Sequence, residues 1–451
     1  MEDTICAIST ALGVGAISIV RVSGSESIEI VNNIFKGKDL TKVDTHTINY
    51  GYIIDNDEII DEVLISIMRA PKTYTKEDLV EINCHGGIST TNKILELLLV
   101  KGCRLAEPGE FTKRAFLNGR IDLIEAESVG DLINSETEKS RSLSLNGVTG
   151  NITNMINDIR KKILEISANI EVNIDYPEYE DAILLTNKLI KPKVIEIKEE
   201  LKKLLDESRN GKIIKNGIDV AIVGKPNVGK SSLLNTLLNE DKAIVTNIAG
   251  TTRDVVEGRF LLDGIILNLI DTAGIRETDD LVEKIGVNKS KEITEKVDLV
   301  ILVLNNNEII TEEEINLINN LNTKKLIVYI NKTDLETKLD AKMIKCKEIV
   351  YGNTLEYKNI EPLKNKIKEM FNLEKIENKN LNYLSNSRQI SLVKKAIESL
   401  DNCLTQIENE IEIDLLAIDL KECYDLLGEV IGGSYKDELL DEIFANFCLG
   451  K

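Results

Sequence analysis

Residues 218–239 read IDVAIVGKPNVGKSSLLNTLLN, and this stretch decides the fold of the central part of the chain. An apolar strand over Ile218–Val223 leads through GKPNVGKS (224–231) into a helix over Ser232–Leu238. The pattern GxxxxGK[ST] between a strand and a helix is typical of a phosphate-binding P-loop; a glycine-rich turn without a ligand is the alternative. Glycines let successive backbone N–H groups surround phosphate oxygens. Lys230 would then neutralise the β- and γ-phosphates, and the Ser231 hydroxyl would ligate Mg²⁺.

Three further motifs predict which nucleotide this loop binds. DTAG (271–274) and NKTD (331–334) each follow an apolar strand, and GTTRD (250–254) lies between the P-loop and DTAG. Asp334 would accept hydrogen bonds from N1 and N2 of guanine, which adenine cannot supply. Because ligands of doubly wound sheets bind at the carboxyl ends of the strands, the motifs favour one GTP site. The predicted GTP contacts are Asn227, Val228, Gly229, Lys230, Ser231, Ser232, Thr246, Asn247, Ile248, Ala249, Gly250, Thr251, Thr252, Asp271, Thr272, Ala273, Gly274, Asn331, Lys332 and Asp334.

The residue after DTAG bears on how water is activated. Ile275 stands where Ras-like proteins carry a glutamine that orients the attacking water. An aliphatic side chain cannot orient water, so another residue must. The nearby acids are Glu277, Asp279, Asp280 and Glu283.

Two parts of the nucleotide site are unusual. Asn227 inside the P-loop offers a side-chain oxygen that can hold a monovalent cation against the phosphates, in the role of an arginine finger. A hydrogen bond that stabilises the loop is the alternative role. The usual guanine-supporting SA motif is not visible, and EIVYGNTLEYKNIEPL (348–363) occupies its place.

The segments before and after the nucleotide-binding part of the chain have different patterns of apolar residues. GAISIVRVSG (15–24), EVLISIM (62–68) and DLVEIN (78–83) predict strands, and GISTTNKILELLLVKG (87–102) predicts a helix, so the first part is α+β. Apolar residues at helical spacing follow from 121, and they return after about 375 in 388–410 and 414–433. We therefore expect one helical domain built from both flanks, with an α/β domain inserted between them.

Composition excludes some classes of function. The chain has 451 residues and a net charge of −20, so bulk charge cannot hold nucleic acid, although a local basic site can. It has no Trp and only 4% aromatic residues, which disfavours a base-stacking platform. Seven scattered cysteines and two histidines disfavour a zinc site or a disulfide framework. No apolar run is long enough for a membrane span, and the start MEDTICAIST lacks the features of a signal peptide, so we expect a cytoplasmic protein without membrane contact.

Several long segments resemble one family, the MnmE (TrmE) tRNA modification GTPases. The resemblance covers the whole chain. Besides the nucleotide motifs, the resemblance rests on the segments DTICAISTALGVGAISIVRVSG (3–24), PKTYTKEDLVEINCHGG (71–87), EPGEFTKRAFLNGRIDLIEAESVGDLI (107–133), IAGTTRD (248–254), IDTAGIRETDDLVEKIG (270–286) and CLGK (448–451).

The resemblance implies a multidomain protein. It would consist of an α+β folate-binding and dimerisation domain (1–120), an α-helical bundle domain in two parts (121–215 and 379–451), and an inserted Ras-like α/β P-loop GTPase domain (216–378). It implies K⁺-stimulated GTP hydrolysis in a homodimer. It also implies work with an FAD-dependent partner, MnmG (GidA), in a heterotetramer or larger complex. Together they would install an aminomethyl-type group at C5 of the wobble uridine (position 34) of certain tRNAs, with a one-carbon unit from 5-formyl- or 5,10-methylene-tetrahydrofolate.

The resemblance also assigns residues by motif. Asn227, Thr246, Ile248 and Thr251 correspond to K⁺ ligands, and Ser231 and Thr252 correspond to Mg²⁺ ligands. Glu283 corresponds to the acid that positions water through its hydration shell. Arg21, Glu81, Arg120 and Lys451 correspond to folate contacts, and Cys448 is a second candidate catalytic residue.

Alternatives stay open for some of these residues. Arg21 and Glu81 suit a surface salt bridge as well as a folate site, and Cys448 suits a core position as well as a reactive one. Two other functions fit parts of the sequence: a GTPase switch in ribosome assembly, and a folate-dependent one-carbon enzyme with a regulatory GTPase domain.

Overall fold

The computed structural model describes residues 3–175, 189–238, 256–271, 297–321, 325–376, 381, 383–409, 413–435, 437–445 and 447–451. The chain divides into two compact units. The first comprises 1–134, 145–202 and 388–451, and the second comprises 135–144 and 203–387. The long segment of the second unit thus lies in sequence between parts of the first. Within the described residues, no helix is long and apolar enough to cross a bilayer.

The described residues of the first unit form a seven-stranded sheet. Its strands, in the order β3-β4-β5-β6-β2-β1-β7, are β1 (Ile5–Ile8), β2 (Ile17–Ser23), β3 (Phe35–Lys36), β4 (Thr47–Asp55), β5 (Glu58–Met68), β6 (Leu79–His85) and β7 (Arg104–Leu105). β2, β5 and β6 confirm the strands that the sequence predicts in this part of the chain.

The two faces of this sheet differ in polarity. Val20 and Ile65 are the cross-strand partners of Ile82, so the three share one face of the sheet, and all three are fully buried. Cross-strand partners share a face, and the register pairs Arg21 with Glu81 and Glu81 with Ser66 on the opposite face. That second face therefore carries the charged pair of β2 and β6.

Seven α-helices lie between residues 3 and 216 of the described chain, and residues 138–144 of the fifth and 203–216 of the seventh belong to the second unit. The first seven in the described chain are α1 (Ser27–Asn32), α2 (Ile88–Val100), α3 (Glu110–Leu117), α4 (Leu123–Ile133), α5 (Glu138–Val148), α6 (Asn151–Asp175) and α7 (Lys191–Asn216). α2 confirms the helix predicted within 87–102. Asp122 and Glu125 form a capping box at α4, which satisfies backbone N–H groups of its first turn.

The second unit is built on a six-stranded sheet in its described residues. Its strands, in the order β13-β12-β11-β8-β10-β9, are β8 (Ile218–Val223), β9 (Val256–Leu262), β10 (Ile265–Asp271), β11 (Leu299–Asn305), β12 (Leu326–Asn331) and β13 (Ile349–Tyr351). All neighbours pair in parallel except β9, which is antiparallel to β10. β11 and β12 are buried along their whole length, as expected for parallel strands covered on both faces.

The remaining helices complete both units. In the second unit they are α8 (Lys230–Leu238), α9 (Glu312–Leu321) and α10 (Glu361–Met370). The first unit begins again at residue 388, and its last helices are α11 (Ser387–Glu408), α12 (Ile413–Ile431) and α13 (Asp437–Ala445). α11 and α12 confirm the helices predicted over 388–410 and 414–433, and α11 buries one apolar face that includes Val393 and Leu400.

Arg114 of α3 is fully buried among three acids of the first unit. Its guanidinium donates to Asp3 Oδ1 at 2.8 Å, to both carboxylate oxygens of Glu77 at 3.2 Å and to Glu110 Oε1 at 3.0 Å. Arg104, which is 43% exposed, contacts Asp3 and Glu110 from outside. The hydrogen bond from Arg104 lowers the pKa of Asp3, so this stabilisation is complete near neutral pH and declines as pH falls through the lowered pKa.

Arg114→Met is expected to destabilise the first unit by about 3–5 kcal/mol, because it removes the fully buried cation of the cluster and leaves the largely buried carboxylate of Glu77 without the guanidinium that pairs with it. Arg104→Met removes a half-exposed cation from the same cluster and is expected to cost about 0–1 kcal/mol. Hydrogen exchange of amides in β1 and α3 measures both changes locally. Equal protection losses in the two variants would contradict the dominant role of Arg114.

Candidate functional site

The loop between β8 and α8 has the backbone conformation that its glycines permit. Gly224 and Gly229 have φ values of 149° and 103°, and Asn227 has a φ of 63°. A Cβ at Gly229 would collide with Nδ2 of Asn331. Residues other than glycine rarely adopt positive φ, and asparagine is among the few that tolerate it. The sequence pattern GKPNVGK therefore places its special residues where the turn requires them.

Lys230 spans this loop from the first turn of α8. Its Nζ donates to the carbonyl oxygens of Gly224 at 2.7 Å and Lys225 at 2.8 Å. The ammonium group thus lies over the loop interior, where the predicted phosphates would bind. Ser231 and Ser232 follow it and are exposed, so the Ser231 hydroxyl is accessible as a hard oxygen ligand.

The NKTD loop supports the P-loop directly. Asn331, which has no exposed surface, donates from Nδ2 to the carbonyl oxygen of Val228 at 2.9 Å. Lys332, with a φ of 60°, donates from Nζ to the carbonyl oxygen of Asn227 at 2.9 Å. Asp334 is exposed beside them. Asn331 and Lys332 thus fix the loop backbone, while Asp334 remains accessible to a base.

Asn306 is a residue of this site that the sequence motifs do not reveal. It follows β11, is 3% exposed, and its backbone N–H donates to the carbonyl oxygen of Asn331 at 2.9 Å. Its Nδ2 donates to the carbonyl oxygen of Leu335 at 3.2 Å and to Thr337 Oγ1 at 3.1 Å. These bonds bracket the NKTD loop on both sides. The only sequence signal is a polar triplet (305–307) directly after a buried strand.

The segment that replaces the usual SA motif follows β13 at the same sheet edge. Thr333 donates its backbone N–H to the carbonyl oxygen of Gly352 at 3.2 Å, which joins this segment to the NKTD loop. The side-chain oxygen of Asn353 accepts from Leu355 N at 3.2 Å and from Asn359 Nδ2 at 2.7 Å. Residues 352–355 therefore occupy the expected place next to Asp334 with different chemistry.

Many predicted residues of this site lie outside the described residues. They are Thr246, Asn247, Ile248, Ala249, Gly250, Thr251, Thr252, Thr272, Ala273, Gly274, Ile275, Glu277, Asp279, Asp280 and Glu283. β10 ends at Asp271, whose backbone pairs with Ile222 of β8. Of the predicted cation ligands, the structure thus places Asn227 and Ser231, and the assignments of the others stay predictions.

A second polar cluster lies in the first unit, and it contains all four residues assigned to folate. Arg21 on β2 donates from Nε and Nη2 to Glu81 Oε1 on β6 at 3.0 and 2.9 Å. Its Nη1 donates to the carbonyl oxygen of Gly450 at 3.1 Å. Arg21 and Glu81 thus form the salt bridge that the sequence allows, and Arg21 also holds the CLGK segment.

The ring of Tyr74 is the centre of this cluster. The Cζ atoms of Arg120 and Arg21 lie 4.8 and 5.9 Å from its centroid, and Nζ of Lys451 lies 5.5 Å from it. Its hydroxyl is 2.9 Å from Oγ1 of Thr112 on α3. Burial, and then the charges of Arg21 and Arg120, lower the pKa of Lys451.

The CLGK segment is fitted closely against β1. Gly450 has a φ of 87°, and a Cβ there would lie 2.5 Å from the carbonyl oxygen of Ile8. The Ser9 hydroxyl donates to the Gly450 carbonyl at 3.1 Å. Cys448 is exposed, so the core position considered for it is wrong, and its chemical role stays a prediction.

Comparisons with known proteins bear on both sites. A family model described as "GTP-binding protein TrmE N-terminus" matches residues 4–120, and one described as "MnmE helical domain" matches residues 123–448. A protein of Ligilactobacillus salivarius is 52% identical and aligns over 100% of this chain and 98% of its own length. Proteins of Bacillus cytotoxicus and Streptococcus thermophilus are each 50% identical, over 100% of this chain and 99% and 98% of their lengths. All three relatives are named tRNA modification GTPase MnmE.

Proposed function

The chain belongs to the MnmE family of tRNA modification GTPases, and from this premise we propose that it couples GTP hydrolysis to modification of the tRNA wobble uridine. The single observation that carries the proposal is the 50–52% sequence identity to three named relatives over the full chain. The proposed product is an aminomethyl-type group at C5 of uridine 34. The proposed partner is the FAD-dependent protein MnmG, in a heterotetramer or larger complex in the cytoplasm.

The nucleotide half of the proposal rests on the P-loop and the NKTD loop. Lys230 would bind the β- and γ-phosphates, and Asp334 would read guanine. The exposed hydroxyl of Ser231 suits Mg²⁺, which prefers oxygen ligands, and Thr252 would be the second protein ligand. The bound metal would supply charge neutralisation on the phosphates.

The proposed K⁺ site depends on Asn227. This residue is exposed and has a left-handed backbone with a φ of 63°. Its carbonyl oxygen already accepts from Lys332, so the side-chain oxygen is the group that we assign to the cation. Thr246, Ile248 and Thr251 would supply the remaining ligands.

The GTPase rate is expected to be higher in KCl than in NaCl or LiCl at equal ionic strength, because Na⁺ and Li⁺ are too small for these ligands. Asn227→Ala should remove that preference. Asn235→Ala, a change of the same kind on α8 beyond the loop, serves as the matched control. Steady-state phosphate release in the three salts measures the effect. Equal wild-type rates in KCl, NaCl and LiCl would contradict the proposed K⁺ site.

The folate half of the proposal rests on the cluster around Tyr74. A reduced folate carries carboxylates that suit Arg and Lys, and a pterin whose paired N–H donors suit a carboxylate such as Glu81. Cys448 lies in the same segment as Gly450 and Lys451, and its exposure fits the proposed catalytic role.

Arg21→Ala is expected to weaken binding of 5-formyl-tetrahydrofolate by about 10-fold or more, because a charge-assisted donor is lost and Glu81 loses its partner. Arg141→Ala removes an exposed, ion-paired arginine elsewhere and should leave affinity unchanged. Calorimetry on the full chain is required, since Gly450 and Lys451 belong to the cluster. Unchanged affinity in Arg21→Ala would contradict the assignment of Arg21.

Exposed apolar side chains on one face of β4 and β5 support the proposed homodimer. Ile48, Tyr50 and Leu64 are 69%, 56% and 47% exposed, and Tyr50 pairs with Leu64 across β4 and β5. Neighbouring exposed apolar side chains on one sheet face are typical of an interaction surface. We assign this face to contact with a second copy of the chain.

A further inference from the structure

A groove of about 540 Å³ lies in the second unit at the edge of the sheet where β12 and β13 begin. Three lysines line it: Lys325 directly before β12, and Lys345 and Lys347 shortly before β13. These two parallel strands end at the NKTD loop and at the segment 352–355. The groove is therefore at the opposite edge of the sheet from the predicted GTP site, and nucleotide binding does not use it.

The charge of this groove is positive, because the one acid among its described lining residues is already paired. Glu348 Oε2 lies 3.0 Å from Nζ of Lys366, which is not a lining residue. Lys325 and Lys347 are exposed and have no salt bridge within the described part of the chain. In a chain with a net charge of −20, such a groove is a local site that attracts anions.

Lys325 has a fixed position at one side of the groove. Its Nζ donates to the carbonyl oxygen of Met370 at 3.3 Å and lies 3.7 Å from the ring centroid of Phe371. An ammonium group has three donors, so the bond to Met370 leaves donors for a ligand. Burial and the nearby charge of Arg209 lower the pKa of Lys325, and a bound anion would favour the charged form again.

The other two lysines belong to a segment that is held against β12. Cys346 lies between them, and its Sγ is 3.7 Å from the carbonyl oxygen of Leu326, the first residue of β12. This contact keeps Lys345 and Lys347 beside the start of the strand that Lys325 precedes. The fold thus gathers three lysines from two separate segments of the chain.

We propose that this groove binds the phosphodiester backbone of the RNA substrate, with Lys325, Lys345 and Lys347 neutralising phosphates. This inference rests on the proposed function, which makes tRNA the substrate. It adds a place in the second unit where the RNA backbone is held, separate from the nucleotide and from the polar cluster of the first unit.

The chemistry of lysine favours an RNA backbone over a small ligand. A pocket for a small molecule is mostly apolar and fixes its ligand with a few precisely placed polar groups. Lysine instead supplies a point charge on a flexible stem, which suits phosphates in a range of positions. Contacts to phosphates carry no sequence information, so one groove can serve several tRNAs that differ in sequence.

The test titrates labelled tRNA from a strain that lacks this chain against the full chain, by fluorescence anisotropy over a series of salt concentrations. The groove variant combines Lys325→Gln, Lys345→Gln and Lys347→Gln. It is expected to reduce the slope of log K against log salt by about 2–3, because each lysine on a phosphate contributes about 0.7–0.9. Lys347→Gln alone, a single exposed change, should reduce the slope by about 1.

A matched control variant removes the same charge elsewhere. It combines Lys36→Gln, Lys101→Gln and Lys203→Gln, which are exposed changes on β3, after α2 and on α7. This control should keep the wild-type slope. GTP hydrolysis without RNA should keep its wild-type kcat and KM in both triple variants, since the groove and the nucleotide motifs are at opposite edges of the sheet.

The outcomes separate the groove from the proposed function. A wild-type chain that binds no tRNA would contradict tRNA as the substrate. Tight wild-type binding with an unchanged slope in the groove variant and in Lys347→Gln would overturn the groove alone. Equal losses of slope in the groove and control triple variants would also overturn it, because bulk charge would then account for the salt dependence.

Discussion

Glu283→Ala is expected to lower kcat for GTP hydrolysis by about 10²–10⁴-fold, the usual range for a positioned acid or base, with little change in GTP affinity. Ile275 stands where a water-orienting amide is expected, so the function must pass to another side chain. A carboxylate next to the γ-phosphate would be repelled by its charge. Acting through a bridging water keeps Glu283 at a distance while it still orients the nucleophile.

Single-turnover rates in KCl distinguish Glu283 from its neighbours. Asp279→Ala and Asp280→Ala remove one acid each from the same segment and are expected to hydrolyse GTP within a few-fold of the wild-type rate. If Glu283→Ala keeps the wild-type rate, or if one of the aspartates shows the large loss instead, the assignment of Glu283 is wrong.

Asp334→Asn is expected to weaken GTP binding by about 10²-fold, because a hydrogen bond to a charged group is lost and the new amide faces the donors of guanine with a donor of its own. The same variant should bind xanthosine triphosphate better than the wild-type chain does, since xanthine offers an acceptor at that position. Glu336→Gln, an exposed change two residues away, is the matched control. Equilibrium titration with fluorescent nucleotides measures the affinities of the wild-type chain and of both variants. Unchanged GTP binding in Asp334→Asn would contradict the assignment of NKTD to guanine recognition.

The elements that could be predicted from the sequence are those with a strong local signal. β8 over Ile218–Val223 and α6 over Asn151–Asp175 have the predicted bounds, because a buried parallel strand is a short apolar run ended by glycine and a long amphipathic helix has a clear period. The P-loop could be predicted because its glycines and lysine are adjacent in sequence.

The rest depends on contacts between distant parts of the chain. Arg21 and Gly450 are 429 positions apart, and nothing local to either residue indicates that their atoms meet. Tyr74 lies in a loop with no periodicity, so its central position among three cations follows only from the fold. Asn331 shows a related limit: the motif predicts a GTP contact, but not that its amide would hold the Val228 carbonyl and support the phosphate loop.

Mass spectrometry of tRNA from a deletion strain tests whether this chain acts in wobble-uridine modification. We expect the C5-modified wobble nucleoside to disappear in that strain, to return with the wild-type gene, and not to return with Glu283→Ala. A ribosome-assembly GTPase or a general one-carbon enzyme would leave that nucleoside in place. Unchanged wobble modification in the deletion strain would therefore contradict the proposed function of the chain.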